Sequence, residues 1–195
     1  MNEWLRKKAP FYGLAGLLNL AVGVMFYTVN ITPIPASAAP ISTIVSAPRP
    51  QRTIPATQGT PVHITVPSVS IDLPVKVGSY NPDNASWDVD LDNAYYADIS
   101  MPINNSNGTT LIYGHAQSQI FETLPEVSPG AEAIVLTDTG YAFHYEYTTS
   151  QLVPPTDVSV FTASGPPKLV LQTCIGIYSE LRGLYSFKLV SIDKI

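Results

Sequence analysis

Short runs of alternating apolar and polar residues, separated by turn sequences, recur from Val62 to the C-terminus and limit what this chain can fold into. Such alternation is typical of β-strands that bury one face. The runs cover residues 62–66, 69–77, 87–91, 109–115, 131–137, 141–149, 168–174 and 184–192. Hydrophobic residues make up 45% of the chain, which is enough for a packed core, so we expect one mainly β domain.

The N-terminal segment predicts a membrane anchor. Residues 9–31 carry no charge and, at about 1.5 Å per residue, would span roughly 34 Å as a helix, against about 30 Å of hydrocarbon. The small-residue sequence at 36–38 offers a signal-peptide cleavage site as an alternative, but the apolar run is longer than the roughly 7–15 residues of the hydrophobic region in a usual signal peptide, and the site lies several residues beyond its end. The basic cluster at residues 6–8 predicts that residues 1–8 are cytoplasmic and that the remainder is exported.

A linker and an acidic domain are predicted to follow the anchor. Residues 32–61 are rich in Pro, Ala, Ser and Thr and lack periodicity, so we expect a linker that leads to a folded domain at residues 62–195. Beyond residue 31 the chain has seven basic and fourteen acidic side chains, which gives a net charge of −7. Such a balance, without a basic cluster, disfavours nucleic acid and anionic lipid surfaces as partners.

Two local patterns modify the strand assignment. The phase of the alternation shifts across Pro67, so we expect two short strands joined by a kink. Asp88, Asp90 and Asp92 alternate with apolar residues, which we interpret as a strand with a solvated acidic face. Calcium binding by these carboxylates is the alternative, but no glycine-turn calcium loop surrounds them, and we predict no cofactor.

One short helix and one aromatic hairpin are also predicted. Residues 118–126 place apolar side chains at helical spacing before Pro125, which predicts a short helix. A hairpin is expected around Asp138-Thr-Gly140, and His144 in its second strand is expected to be solvated, with His63 peripheral. The opposite face of that second strand carries four aromatic residues: Tyr141, Phe143, Tyr145 and Tyr147.

The only cysteine lies at the end of a predicted strand. In residues 168–174, Cys174 shares one face with Val170 and Gln172, and Arg182 follows a loop that can fold back toward the sulfur. A buried strand delivers His115 at its own end. A lone cysteine is often a small core residue. In an exported chain that cannot form an internal disulfide, however, it is a candidate reactive thiol.

These motifs occur in the order and spacing of one family. The chain from Ile64 onward resembles a sortase, the membrane-anchored cysteine transpeptidase of bacterial cell envelopes; the subclass is left open, with a class D/E-like sortase as one candidate. The resemblance implies a closed, mixed β-barrel of about eight strands with short helices. The motifs that carry it are Ile64-Thr-Val-Pro67, Tyr113-Gly-His115, Phe121-x-x-Leu124, Asp138-Thr-Gly140 and Leu171-Gln-Thr-Cys174 with a downstream arginine.

The resemblance also implies roles for individual residues. Cys174 is expected to be the nucleophile, His115 the general acid/base, and Arg182 the group that binds the substrate carbonyl or oxyanion. Thr173 and Leu171 are weaker candidates for substrate contacts. The chemistry of a thiol, an imidazole and a fixed cation suits these roles independently of the resemblance.

The implied reaction is cleavage of an LPxTG-like sorting motif in an exported protein through a thioester on Cys174. The acyl group would then pass to an amine of a peptidoglycan precursor or a pilin, outside the cell membrane. Residues 151–167 are our candidate for the connection that shapes specificity. No Asp or Asn stands out as a partner that orients His115, and we interpret Asp157 as a turn or cap residue.

Two alternatives stay open. A non-catalytic, membrane-tethered β-barrel would bind or assemble partners through the aromatic face of residues 141–147, although the joint presence of cysteine, histidine and arginine argues against it. Another cysteine peptidase or an L,D-transpeptidase would place similar chemistry on a different scaffold. The Ser-His-Gly-Cys sequence of the latter class is absent here.

Overall fold

The computed structural model describes residues 55–195. The predicted anchor at residues 9–31, the predicted cytoplasmic residues 1–8 and residues 32–54 of the predicted linker lie outside this range. None of the helices within residues 55–195 has the length and apolar character that a membrane span requires.

Short strands account for most of the described region. They are β1 (Gln58–Gly59), β2 (Pro61–Val66), β3 (Ile71–Gly78), β4 (Tyr80–Asn81), β5 (Ser86–Trp87), β6 (Ala94–Ala97), β7 (Ile103–Asn104), β8 (Thr109–Tyr113), β9 (Glu132–Thr137), β10 (Tyr141–Val153), β11 (Lys168–Ile175) and β12 (Leu181–Lys194). The helical elements are two 3-10 helices, Pro67–Val69 and Leu124–Glu126, and one short α-helix, α1 (Ser159–Thr162).

Eight of these strands close into a barrel in the order β10-β12-β11-β8-β6-β3-β2-β9. The neighbours β8 and β11 are parallel, as are β3 and β6, and the other pairs in the barrel are antiparallel. This arrangement confirms the prediction of a closed, mixed, mainly β-barrel. Paired structure begins with β1, which pairs with β7 and lies upstream of Val62.

The parallel pair positions the site. In the register of β8 and β11, Tyr113 lies opposite Gln172. Because parallel neighbours end at the same edge of a sheet, the residues two positions further along each strand direction, His115 and Cys174, emerge at the same end of the barrel. A short parallel pairing therefore brings together two residues that are far apart in the chain.

The barrel interior is filled by one apolar cluster that includes the aromatic face of β10. Phe143, Tyr145 and Tyr147 are buried, and Tyr147 packs edge-on against Phe187 of β12 with ring centroids 5.4 Å apart. Tyr141 packs against the same cluster while partly buried. The prediction that these aromatic residues share one face is confirmed, and that face belongs to the core.

The predicted kink after β2 is also confirmed. A 3-10 turn at Pro67–Val69 replaces the strand, and Ser70 adopts a left-handed conformation with φ of 55° before β3 begins. The two strands that flank the turn then pair with each other in an antiparallel hairpin. Proline suits this position because it lacks the N–H group that a continuous strand would use in its ladder.

The predicted helix at 118–126 is wrong in its type. The segment forms turns that end in the 3-10 helix Leu124–Glu126. In an α-helix the Phe121 carbonyl would accept from the N–H group of Pro125, which proline lacks. The carbonyl instead accepts from Leu124 N at 3.2 Å. The apolar side chains predicted for this segment are nevertheless buried: Ile120, Phe121 and Leu124.

The predicted strand at 87–91 is also wrong, because β5 ends at Trp87. The carboxylate of Asp90 accepts hydrogen bonds from the backbone N–H groups of Asp92 and Asn93 at 3.0 and 2.9 Å, which turns the chain. The side chains of Asn93, Lys76 and Tyr95 donate to the same carboxylate. These hydrogen bonds, those from Asn93 foremost, hold the pKa of Asp90 well below its usual range.

The acidic segment and the remaining histidines serve local structure in the described region. Residues 55–195 contain no group of three or more His, Cys, Asp or Glu side chains that could hold a metal ion. His63 lies 2.6 Å from Asp72. His144 is half-buried rather than solvated, because its two ring nitrogens lie 2.8 Å from Glu132 and 3.2 Å from Asp193 on the flanking strands.

Candidate active site

A cavity of about 370 Å³ opens at the end of the barrel where β8 and β11 finish. His115, Cys174 and Arg182 all line it. Cys174 is a free thiol and is half-buried, so its sulfur is accessible from the cavity without being fully solvated. The structure therefore brings the three predicted catalytic residues to one site.

Arg182 reaches the site through strand pairing. Cys174 and Arg182 are direct partners in the antiparallel ladder of β11 and β12. The hairpin between these strands is tight because Gly176 and Ser179 both have positive φ values, 95° and 57°. Arg182 Nη1 donates to the carbonyl oxygens of Ser179 at 2.8 Å and Leu181 at 3.1 Å, so the loop backbone orients the guanidinium group.

Backbone contacts on both sides hold His115 at its position. Gly114 N donates to Gln172 O at 3.1 Å, which extends the pairing with β11 by one step. On the other side, Phe121 N donates to His115 O at 3.1 Å. Within residues 55–195 no side chain hydrogen-bonds to the imidazole ring, so the described structure shows no third residue that orients it.

Asp157 shows the turn role predicted for it. Its Oδ1 atom accepts a hydrogen bond from Ser159 N at 2.8 Å, at the start of α1. Hydrogen bonds from the side chain and the backbone of Ser159 lower the pKa of the Asp157 carboxyl group. Asp157 is also one of the residues that line the cavity, as Arg182 is.

The two weaker candidates for substrate contacts occupy different environments. Thr173 lines the cavity but is only 1% exposed, and its hydroxyl group donates to Gly114 O at 3.1 Å, which ties β11 to the segment that carries His115. Leu171 is fully buried in the barrel core and does not line the cavity. Its position favours a packing role over contact with a substrate.

Two walls of the cavity come from segments that carry no chemical motif. The connection between β10 and β11 contributes Phe161, and the β4–β5 hairpin contributes Trp87. These two rings stack with centroids 5.8 Å apart and an interplanar angle of 13°. Trp87 also packs edge-on against Tyr113 at 5.4 Å. Sequence reasoning missed Trp87 because the alternation placed it in a strand and gave no sign of the partner it would meet.

Replacing Gly114 with alanine is expected to destabilise the protein by about 1–3 kcal/mol and to disturb His115. A Cβ atom at Gly114 would lie 2.7 Å from Ile120 and 3.2 Å from Phe121, both buried under the site. Urea unfolding would measure the stability change. Gly130→Ala is a control for general loss of glycine, because a Cβ atom there meets nothing within 4 Å, although its positive φ adds some strain of its own. Equal stability of the Gly114→Ala variant and the parent would contradict the prediction.

The arrangement suits acyl transfer. A thiol can attack a carbonyl carbon, an imidazole can move a proton between the sulfur and a leaving amine, and a guanidinium group can stabilise negative charge on the carbonyl oxygen.

Comparisons with known proteins agree with this arrangement. Residues 64–190 match the family model of the sortase domain. Sortase A of Listeria monocytogenes is 22% identical, with a TM-score of 0.56 over 70% of this chain and 91% of that one. Sortase E1 of Streptomyces coelicolor, solved with a tripeptide in its active site, is 18% identical, with a TM-score of 0.57 over 70% of this chain and 91% of that one.

A third solved structure belongs to another sortase class. Sortase C of Streptococcus pneumoniae is 17% identical, with a TM-score of 0.57 over 71% of this chain and 73% of that one. The comparison with curated proteins gives no match. Sortases of classes A, C and E thus share the fold to the same degree, and the subclass of this chain is not resolved by them.

Proposed function

Because this chain belongs to the sortase family of transpeptidases, we propose that Cys174 attacks the sorting motif of an exported protein and carries it as a thioester. His115 protonates the departing amine, and Arg182 stabilises the oxyanion. The observation that supports this proposal most is the common cavity lined by all three side chains, which come from β11, β12 and the residues after β8.

The first substrate is a peptide segment, with a motif similar to LPxTG. The tripeptide in the active site of the Streptomyces sortase E1 structure supports a peptide ligand for a barrel of this kind. Pro155, Val158 and Phe161 of the β10–β11 connection line the cavity, in keeping with a role of this connection in motif selection.

The second substrate is an amine from a peptidoglycan precursor or a pilin. The solved relatives include a sortase from a pilus island of group B Streptococcus and the pneumococcal sortase C, whose structure bears on pilin substrate specificity. The acceptor attacks the thioester and releases Cys174. Water in place of the amine would give hydrolysis.

The location of this reaction follows from the N-terminal sequence. An apolar segment at residues 9–31 with basic residues before it supports a single-pass anchor in the cell membrane, with a cytoplasmic N-terminus and an extracellular domain. Labelling of engineered cysteines on either side of this segment in intact cells would test the orientation, and labelling of residue 2 from outside would contradict it.

The rival function, a non-catalytic binding module, is less well supported. Its proposed binding surface was the aromatic face of residues 141–147, and Phe143, Tyr145 and Tyr147 on that face are at most 8% exposed. A partner would have to open the barrel to reach them.

Mass spectrometry of the full chain with a library of LPxTG-like peptides and an amine acceptor tests the proposal. We expect an acyl adduct on Cys174 that disappears when the amine is added, with the Cys174→Ala variant as the control. A protein that forms no adduct with any peptide, while an alkylating reagent still modifies Cys174, would contradict the proposed function and favour the binding module.

A further inference from the structure

The cavity is lined by two residues of opposite formal charge that form no direct ion pair with each other. Arg182 and Asp157 both line it, and Asp157 is the one carboxylate among its lining residues in the described region. The ion pairs within 4.0 Å that the structure shows among residues 55–195 involve neither of these side chains. Both charges therefore remain available to a bound molecule.

Each of these charged side chains hydrogen-bonds to nearby backbone groups and still has free hydrogen-bonding capacity. Arg182 donates to two carbonyl oxygens through Nη1, which leaves further N–H groups of its fork. Asp157 accepts from Ser159 N through Oδ1 at 2.8 Å. A carboxylate can accept about four hydrogen bonds, so the Asp157 group can bind a further donor. The hydrogen bonds from Ser159 also lower its pKa, so the carboxylate is anionic at neutral pH.

In a sortase-type reaction, a cation can stabilise the reaction intermediate and a carboxylate can bind the acceptor substrate. The tetrahedral adduct carries negative charge on oxygen, which suits Arg182. The acceptor amine arrives as an ammonium ion at neutral pH, and its complement is a carboxylate. Phe161, four residues after Asp157, lines the same cavity and stacks on Trp87, so aromatic rings that favour cations also lie in the site.

We propose that Asp157 binds the acceptor substrate of this transpeptidase as a primary ammonium group, next to the thioester on Cys174. This inference rests on the proposed function and names the residue that recognises its second substrate. Asp157 then serves both as the turn residue before α1 and as a specificity-determining residue for cationic acceptors.

Transfer of the acyl group from Cys174 to the acceptor conserves atoms and charge. The ammonium group gives one proton to the neutral imidazole of His115, and the resulting amine attacks the thioester carbonyl carbon. The carbon–sulfur bond breaks, Cys174 leaves as a thiolate, and the thiolate takes the second proton from the nitrogen. His115 releases its proton to solvent, so the thioester and the ammonium ion yield an amide, a free thiol and one proton.

The test compares Asp157→Asn with the parent full chain, using methylamine and hydroxylamine as acceptors. The two nucleophiles are similar in size, but at neutral pH methylamine is cationic and hydroxylamine is neutral. Asparagine keeps a carbonyl oxygen that can accept from Ser159 N, and it replaces the charged second oxygen with a neutral amide group of similar size. We expect the KM for methylamine to rise about three- to tenfold relative to the KM for hydroxylamine.

Glu122→Gln is the matched control, because Glu122 is an exposed carboxylate that does not line the cavity. Equal changes in both KM values for Asp157→Asn, or the same selectivity change in Glu122→Gln, would overturn the proposal. A variant altered mainly in the rate of thioester formation would assign Asp157 to the peptide substrate instead, and would also overturn it.

The outcome is distinguishable from failure of the proposed function, which would appear as the absence of a thioester in the parent chain. In that event, protection of Cys174 from alkylation gives an independent readout. Methylammonium chloride should slow alkylation of the parent more than that of Asp157→Asn, and equal protection of both would reject an ammonium site.

Discussion

Replacing Cys174 with serine is expected to lower the rate of peptide transfer at least about 10³-fold. Serine has nearly the same shape, so the position at the end of β11 and the pairing with Arg182 should persist. A hydroxyl group is a much weaker nucleophile than a thiol unless a strong base activates it. Within the described residues no side chain hydrogen-bonds to the ring of His115, so none of them holds this base in the fixed orientation that a serine nucleophile needs.

Steady-state transfer from a fluorescent peptide to an amine would measure this loss, and urea unfolding of both proteins would show that the barrel is intact. Cys174 is only half-buried, and the change removes no large side chain, so the free energy of unfolding should change by less than about 1.5 kcal/mol. A serine variant that kept more than about one tenth of the activity would show that the nucleophile lies elsewhere.

Sequence reasoning succeeded where periodicity and burial act in the same direction. Alternation in β10 corresponds to an aromatic face in the barrel core, and alternation in β11 separates two buried faces, with Leu169 and Leu171 in one apolar cluster and Val170 in another. The catalytic candidates could be predicted for the same reason. Cys174 lies near the end of β11 and His115 follows the end of β8, and strand ends are where side chains reach a cavity.

Local side-chain chemistry explains where sequence reasoning did not succeed. The alternation at residues 87–91 is regular, but the Asp90 carboxylate captures two backbone N–H groups and turns the chain. The apolar residues at helical spacing in 118–126 are buried as expected. Pro125, however, cannot supply the N–H group that an α-helix needs there. Each failure comes from a single residue whose effect depends on backbone hydrogen bonds rather than on hydrophobic pattern.

The walls of the cavity could not be predicted for a different reason. Trp87 and Phe161 belong to separate connections, and their stacking depends on how the barrel places the β4–β5 hairpin beside α1. No pattern within either segment encodes that contact. The pairing of Arg182 with Cys174 could not be predicted either. Their separation in the sequence indicated a loop, but the tight hairpin makes the two residues direct cross-strand partners.

Replacing Arg182 with alanine is expected to lower kcat by about 10²- to 10³-fold, with a smaller effect of Arg182→Lys. The guanidinium group is oriented by the carbonyl oxygens of Ser179 and Leu181 and lines the cavity beside Cys174. Negative charge appears on the substrate oxygen only in the transition state, so loss of the cation should act on kcat rather than on KM. Lysine restores the charge but lacks the planar fork that these carbonyl groups hold.

Lys188→Ala provides the matched control. Lys188 lies on the same strand as Arg182, carries the same charge and pairs with Glu146 at 3.0 Å, outside the cavity. If both variants lose activity equally, the effect is one of net charge or of strand stability. If Arg182→Ala instead raises KM with kcat unchanged, Arg182 binds the peptide as strongly in the ground state as in the transition state. It then has no special role in stabilising the oxyanion. The two outcomes affect different kinetic parameters. Measurement of kcat and KM for Arg182→Ala, Arg182→Lys and Lys188→Ala therefore decides whether Arg182 stabilises the transition state or only binds the substrate.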